Sequence, residues 1–468
     1  MTSSRSKKWA ILFAVGLTQF AVPFMLSAVG VCLPAIGREF GASAVALSLV
    51  ESVFLGVNAM LLLPIGRAAD ICGRGAVFLI GLVIFALGTL GLAMAPDMTT
   101  FLTIRAGQAV GGAMTLATGL ALIYDAFPME ETGRALGISV AGIFLGISAG
   151  PFLGGLLVSL RGWRFLFEAG MVPFVVALAV CLRNLDWRLS PVPGERFDWS
   201  GAATSTLAIG LFVWGSAHVD GPLGRWCLLG SALAFAAFLV VEHRSPAPLL
   251  QLSLFSANRP FSLGIAAIAI LALGAFGIAF LLSLYLQYGR GMTAAQAGLV
   301  LVIQPIIQSV VAPLFGRVAD RAPAHILSGI GALLVAIGLG MAAVLDGNSS
   351  LVMVASVLVV MGFGTGIFST PSTLVVMSSV DQTRYGIASA VTGQSRTIGM
   401  MACMAAVSMV IAAFIGDQPL GPAVFDRYIQ AMHVLFGGGC ALSLLATVLS
   451  FLAGDSRRRE ESLRRPGA

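Results

Sequence analysis

Charge is what this sequence is shortest of. Only 10% of its residues are Asp, Glu, Lys or Arg, while 58% are apolar. Soluble domains carry about a quarter charged residues, so 468 residues of this composition leave no room for a large water-exposed domain. Histidine is nearly absent, with four residues, and the six cysteines (Cys32, Cys72, Cys181, Cys227, Cys403, Cys440) stand apart without a CxxC pair. That spacing indicates neither a disulfide framework nor a zinc site. The chain has no phosphate-binding glycine loop, no nucleophile elbow and no metal-ligand cluster. It is therefore expected to be neither an enzyme nor an ATP-driven pump, and to need no metal or organic cofactor.

What the sequence does have is long apolar runs. It begins "MTSSRSKKWAILFAVGLTQFAVPF", basic and then apolar, with no charge between Lys8 and Arg38. A cleaved signal peptide has an apolar core of about 7–15 residues, so this start reads as an uncleaved membrane span. A spanning helix needs about 20 apolar residues. Fourteen runs approach that length: 9–34, 46–65, 76–95, 100–122, 135–158, 164–182, 200–217, 226–241, 260–285, 296–315, 325–345, 351–376, 388–415 and 430–453. The fold class is an all-α polytopic membrane protein. With the N-terminus inside, 19 of the 27 basic residues fall in inner segments and six in outer ones; Arg105 and Arg396 remain within spans. Basic residues favour the cytoplasmic side, so both termini are expected there, in a multi-pass protein of the cell (inner) membrane. The net charge of +6 then faces an anionic leaflet, and no nucleic-acid partner is needed.

The chain also repeats itself. "GRAAD" at Gly66 to Asp70 recurs as "GRVAD" at Gly316 to Asp320, 250 residues on, and the same offset relates Arg134 to Arg384. A duplicated unit at one offset points to two six-helix bundles, residues 1–190 and 246–456, with two inserted helices in 191–245 and a tail at 457–468.

On these residues the chain resembles the major facilitator superfamily, and more narrowly its fourteen-helix drug/proton antiporter family, over nearly its whole length. The resemblance implies the major-facilitator fold: two six-helix bundles plus two inserted helices, 14 transmembrane helices in all. It also implies a proton as coupling ion and a small-molecule substrate moved by alternating access. "GRAADICGR" resembles the superfamily's loop signature through Gly66, Asp70, Gly73 and Arg74, with Ile71 and Gly75 where basic residues are usual. The resemblance makes this loop and its copy, Gly316 and Asp320, gates; Gly66 and Gly73 are expected to allow tight turns. "RAGQAVGGA" resembles the fourth-helix signature through Arg105, Gln108, Gly111 and Gly112.

Four glycines, Gly142, Gly146, Gly150 and Gly154, recur every fourth residue and so line one helix face. In lipid, such a stripe lets a neighbouring helix come close, and we expect it to carry a sliding contact, with a bend at Pro151. Gly146, Gly150, Pro151, Gly154 and Gly155 resemble the fifth-helix signature of exporters in the superfamily.

Coupling needs an acid that titrates inside the membrane. Glu51 is the first candidate because Arg105 lies at comparable depth, and the two read either as a proton carrier with its counter-charge or as a static ion pair. Glu168 is the second candidate, with pairing to Arg161 or Arg164 as its other reading. Met25 stands where the family usually has a first-helix aspartate. Apolar and aromatic residues with a few polar groups are expected to line the cavity: Gln19, Phe20, Phe24, Phe54, Asn58 and Gln108 in the first half, Phe276, Phe280, Gln304 and Gln308 in the second. The expected function is proton-coupled export of small amphipathic or hydrophobic compounds, including multidrug efflux. The alternative is a dedicated exporter of a metabolite, siderophore or self-made antibiotic. A channel or sensor is a third class, disfavoured because a pore needs no paired gates. Partners are the substrate and the bilayer, with periplasmic adaptor proteins as further candidates, and the chain is expected to act as a monomer.

Overall fold

The computed structural model describes residues 2–185, 197–219, 221–245, 253–319, 321–380, 385–416, 418 and 421–454. Asp320, Arg384 and the tail at 457–468 lie outside the described residues, as does the side chain of Arg134.

Among the described residues the chain is helical throughout. The helices are α1 (Thr2–Phe40), α2 (Ala44–Cys72), α3 (Arg74–Ala93), α4 (Met98–Ala126), α5 (Met129–Arg161), α6 (Trp163–Asn184), α7 (Trp199–Ala217), α8 (Pro222–Arg244), α9 (Ser253–Ala257), α10 (Arg259–Ala275), α11 (Ile278–Leu284), α12 (Ala294–Leu301), α13 (Ile303–Ala319), α14 (Ala324–Ala342), α15 (Leu351–Ser378), α16 (Tyr385–Ile415) and α17 (Phe425–Ala453). A π-helical turn, Tyr285–Gly289, follows α11. Twelve helical segments among the described residues are long and apolar enough to cross a membrane; α10, α11 and the π turn make one of them, and α12 with α13 another. Several helices begin where a short polar side chain takes up a free backbone N–H. Ser43 accepts from Ala46, Asp97 from Thr100, Asn258 from Phe261 and Ser350 from Met353.

The expected loop at Gly66 to Arg74 is mostly helix. α2 continues through Gly66, Arg67 and Asp70 to Cys72, and Gly73 alone breaks the chain, at φ 112°. Alanine and arginine are strong helix formers, so the run "RAA" after Gly66 propagates the helix instead of turning it. Gly316 likewise lies inside α13.

The chain divides into two compact units. Unit 1 comprises residues 1–249, 282–302 and 415–422; unit 2 comprises 250–281, 303–414 and 423–468. The inserted pair α7 and α8 therefore belongs with the first bundle, docked on α2: a Cβ at Gly56 would come within 2.7 Å of Val213. In unit 1, α3 crosses α4 at Gly81 and Gly111, where a Cβ on Gly111 would lie 2.6 Å from the Gly81 carbonyl oxygen. In unit 2, α14 crosses α15 at Gly331 and Gly364 in the same way, 3.0 Å from Gly364 to the Gly331 carbonyl oxygen. Helices in lipid gain little from the hydrophobic effect, so backbone-on-backbone approach at glycine supplies much of the contact.

Candidate functional site

Glu51, Phe54 and Asn58 recur at helical spacing on α2 and are buried against α4. Gly112 makes room for them: a Cβ there would sit 3.3 Å from Phe54 and 3.4 Å from Asn58. Arg105 on α4 is fully buried. Its Nη1 donates to Gln108 Oε1 at 2.6 Å, Gln108 Nε2 donates to Thr89 Oγ1 at 2.8 Å, and the guanidinium lies over the Phe54 ring at 4.3 Å. Thr89 in turn donates to the Phe85 carbonyl at 2.8 Å. The result is a chain of hydrogen bonds that locks Arg105 in place from α3.

Of the two readings of Glu51 and Arg105, the static ion pair is not what the structure shows. No described ion pair joins them within 4.0 Å, although their charges are close enough to interact, and Cys32 of α1 lies in the same field. The reason is geometric: Gln108 and Phe54 hold the guanidinium, which leaves Arg105 Nε and Nη2 and Glu51 Oε2 buried without a hydrogen-bond partner. Buried groups of this kind are costly unless water, a proton or a ligand completes them. The arrangement can therefore bind and release a proton without rupture of a direct salt bridge.

Glu168 does not join this cluster. It is exposed on α6, while its helical neighbours Leu166, Phe167 and Gly170 point into the bundle. Arg164 pairs with Glu39 at 2.5 Å rather than with Glu168, and Arg161 lies over Phe165. Met25 is packed beneath Gly170 as an apolar core residue.

At the other end of α2, Arg74 bridges two carboxylates, Asp70 and Asp125, each at 2.8 Å. A cation at the first position of α3 opposes the helix dipole, and the two carboxylates offset that while tying α2, α3 and α4 together.

The glycine stripe of α5 faces α1 within unit 1. A Cβ at Gly142 would lie 3.0 Å from the Gly16 carbonyl, at Gly150 2.6 Å from Ser27, and at Gly154 2.7 Å from Ala28; Gly146 abuts the Phe20 carbonyl. The stripe thus seats one helix of the first bundle on another. The exporter signature's other residues point elsewhere: Gly155 meets Ala294, and Pro151 meets Gly298, both on α12.

Of the cavity candidates in unit 1, Gln19, Phe24, Phe54, Asn58 and Gln108 are buried and Phe20 is half-buried, stacked on Phe24 at 5.7 Å. Gln19 Oε1 and Asn58 Oδ1 have no partner. In unit 2, Phe280 is buried, and Phe276, Gln304 and Gln308 are half-buried. Sequence reasoning missed Thr89 and Cys32. Thr89 carried one signal, a lone hydroxyl inside the apolar run "FALGTLGLA"; Cys32 carried none.

The profile of the Major Facilitator Superfamily matches residues 15–404 and 266–467. Among curated proteins, the chain is 32% identical over 413 residues to the multidrug resistance protein Stp of Mycobacterium tuberculosis, covering 86% of this chain and 76% of that one. It is 30% identical over 459 residues to the cephamycin export protein CmcT of Amycolatopsis lactamdurans, covering 92% and 93%. Among solved structures, a bacterial homologue of the human lysosomal transporter Spinster superposes with a TM-score of 0.69 at 16% identity, over 98% of each chain.

Proposed function

The chain belongs to the Major Facilitator Superfamily, and from that premise we propose that it is a proton-coupled secondary active exporter of small amphipathic or hydrophobic compounds. It works by alternating access in the cell (inner) membrane, with both termini cytoplasmic. The observation that carries the reading is the buried Glu51 beside the buried but unbridged Arg105. An inward proton gains about 2.3 kcal/mol per 100 mV, enough for an uphill gradient of about fortyfold. Stp is a multidrug resistance protein, and the apolar, aromatic surroundings of Gln19 and Asn58 suit ligands of mixed shape.

The span count proposed is fourteen, in groups of six, two and six. α5, with 33 residues, and α7, with 19, add to the twelve long apolar segments. At about 1.5 Å per residue, even α7 reaches nearly 30 Å, the thickness of a hydrocarbon core.

The test is efflux of a fluorescent amphiphile from cells carrying Glu51→Gln. The variant is expected to equilibrate the dye but not to expel it against a gradient, and uncouplers should have no further effect. Wild-type efflux with wild-type uncoupler sensitivity would remove Glu51 from the mechanism. A dedicated exporter is the second reading, favoured by the end-to-end likeness to a cephamycin export protein. Deletion then changes the profile of one secreted metabolite and leaves a panel of toxic compounds unaffected.

A further inference from the structure

A proline inside a helix has no N–H, so the carbonyl four residues before it loses its donor. Unit 1 uses three such carbonyls as docking points for hydroxyls of neighbouring helices. Ser27 of α1 donates to Ile147 of α5, freed by Pro151, at 3.0 Å. Thr206 of α7 donates to Met60 of α2, freed by Pro64, at 3.4 Å. Ser283 of α11 donates to Gly30 of α1, freed by Pro34, at 3.0 Å.

The third contact is unlike the others, because its donor comes from the second sequence repeat. Three more bonds flank it, two of them to α1 carbonyls. Gln287 Nε2 donates to the Val31 carbonyl at 2.9 Å and to Ser283 Oγ at 3.1 Å, and the Tyr288 hydroxyl donates to the Pro34 carbonyl at 3.2 Å. Gln287 and Tyr288 sit on the π turn Tyr285–Gly289, and such turns are frequent at functional sites. Ser283 and Gln287 are buried. The same turn of α1 also covers the acid: a Cβ at Gly30 would lie 3.9 Å from Glu51 Oε1. One face of Gly30 thus carries the Ser283 hydroxyl and the other looks onto Glu51.

We propose that Ser283 and Gln287 are positioning residues for proton exchange at Glu51. Seated on the Gly30 and Val31 carbonyls, they hold the α1 turn closed over the carboxyl. When residues 282–289 leave α1, the Gly30 carbonyl loses its donor, the turn loosens, and Glu51 opens toward the C-terminal end of α1. In the open state the Glu51 carboxylate takes a proton from water on that side; in the closed state the acid gives it to water on the opposite side and becomes a carboxylate again, so one proton crosses per cycle and the charge balances. The titratable or charged groups that face Glu51 are Arg105 from α4 and Cys32 from α1. α7 has no ionisable side chain, and α3 has only Arg74, at its far end. The inference rests on the reading of Glu51 as proton carrier.

The experiment is amide hydrogen exchange over residues 30–36 of the full chain in lipid nanodiscs from pH 5 to 9, corrected for intrinsic exchange. The wild type is expected to show protection that follows one titration, and Glu51→Gln protection that is flat. Ser283→Ala/Gln287→Leu is expected to lose protection by about tenfold, the scale of one to two interhelical hydrogen bonds in a membrane. Its pH dependence should keep the wild-type form on a logarithmic scale, because closure weakens by one factor at every pH while the carboxyl's affinities in the open and closed states stay the same. Ser283→Thr, which keeps the hydroxyl, should keep wild-type protection. Should the double variant not fold, Tyr288→Phe removes one of the three bonds to α1 and should lower protection by a smaller amount. Wild-type protection that does not titrate between pH 5 and 9 overturns the link to Glu51, and unchanged protection in the variants overturns the contact itself. A wild-type titration in Glu51→Gln instead defeats the reading of Glu51, whatever Ser283 does.

Discussion

The α3–α4 crossing in unit 1 and the α14–α15 crossing in unit 2 are built on one plan and filled with different chemistry. Gly331, Val335 and Gly338 follow Gly81, Phe85 and Gly88 by 250 residues; Met361, Gly364 and Phe368 follow Gln108, Gly111 and Thr115 by 253. The contacts correspond pair by pair: Gly111 meets the Phe85 nitrogen as Gly364 meets the Val335 nitrogen, and Gly88 meets Gln108 as Gly338 meets Met361. At the same registers, however, Thr89, Arg105, Gln108 and Glu51 of the first repeat become Leu339, Leu358, Met361 and Leu301 in the second, all but Met361 leucine and all buried. Among the described residues of unit 2 no acidic side chain is buried. A shared crossing thus needs only small residues at the backbone contact. The polar cluster sits on that scaffold in the first repeat and has no counterpart among the described residues of the second.

The sharpest way to break the comparison is to give the second repeat the first repeat's charge. Leu358→Arg places a buried cation with no acid beside it, at a cost of about 2.5–3.5 kcal/mol or more. We expect loss of folded protein, measured by yield and by size-exclusion profile; a well-folded variant would show that unit 2 has room for charge. The reverse change, Arg105→Leu, should leave a folded chain whose uphill efflux falls by more than about tenfold, since Arg105 supplies a positive field at Glu51. Arg105→Lys should rescue little, because a lysine cannot both bond Gln108 and lie flat on Phe54.

Glycine substitutions sharpen the shared part. Gly111→Ala and Gly364→Ala each drive a Cβ onto backbone, at 2.5 Å from the Phe85 nitrogen and 2.7 Å from the Val335 nitrogen. Both are expected to lose about 1–3 kcal/mol of stability, read as similar falls in thermal midpoint; a large difference between them would break the correspondence of the two crossings. Gln108→Met copies the second repeat at one position. It removes two hydrogen bonds, worth about 0.6 kcal/mol each in membrane proteins, and should slow efflux by several-fold with little change in midpoint.

The smallest effect lies in the loops that lead into the two crossings. Asp97 accepts from the Thr100 amide and hydroxyl, and Asp346 from Ser349 and Asn348; these bonds hold both carboxyls below the usual carboxylate range. A carboxyl held low in the folded state contributes stability above its unfolded value, near pH 3.9, and loses it as pH falls through the folded value. Acidification below about pH 4 should therefore loosen the Asp97 cap and the Asp346 turn together, and Asp97→Asn should remove the first repeat's share of that pH dependence.

How much of this was legible beforehand depends on the kind of contact. The apolar runs and the 250-residue offset could be read from residue type and spacing, and so could the presence of an acid, Glu51, and a cation, Arg105, within spans. The turn at Gly66 could not, because the alanines that follow propagate the helix up to Gly73. Nor could the partner of the α5 stripe: four glycines name a face, and only the packed bundle shows that α1 fills it. Glu168 and Glu51 look alike as lone acids in apolar runs, yet one points outward and the other inward.

The sequence by itself determined that this chain lives in lipid, that it is duplicated and that it carries charge in the wrong solvent. Those properties follow from transfer free energies and spacing, which add up along the chain one residue at a time. Only the tertiary structure decided that Arg105 rests on Phe54 instead of Glu51, and that Ser283 reaches back 253 positions to a carbonyl that Pro34 left open. Hydrogen bonds between distant helices depend on which faces meet and at what depth, and no local pattern encodes that.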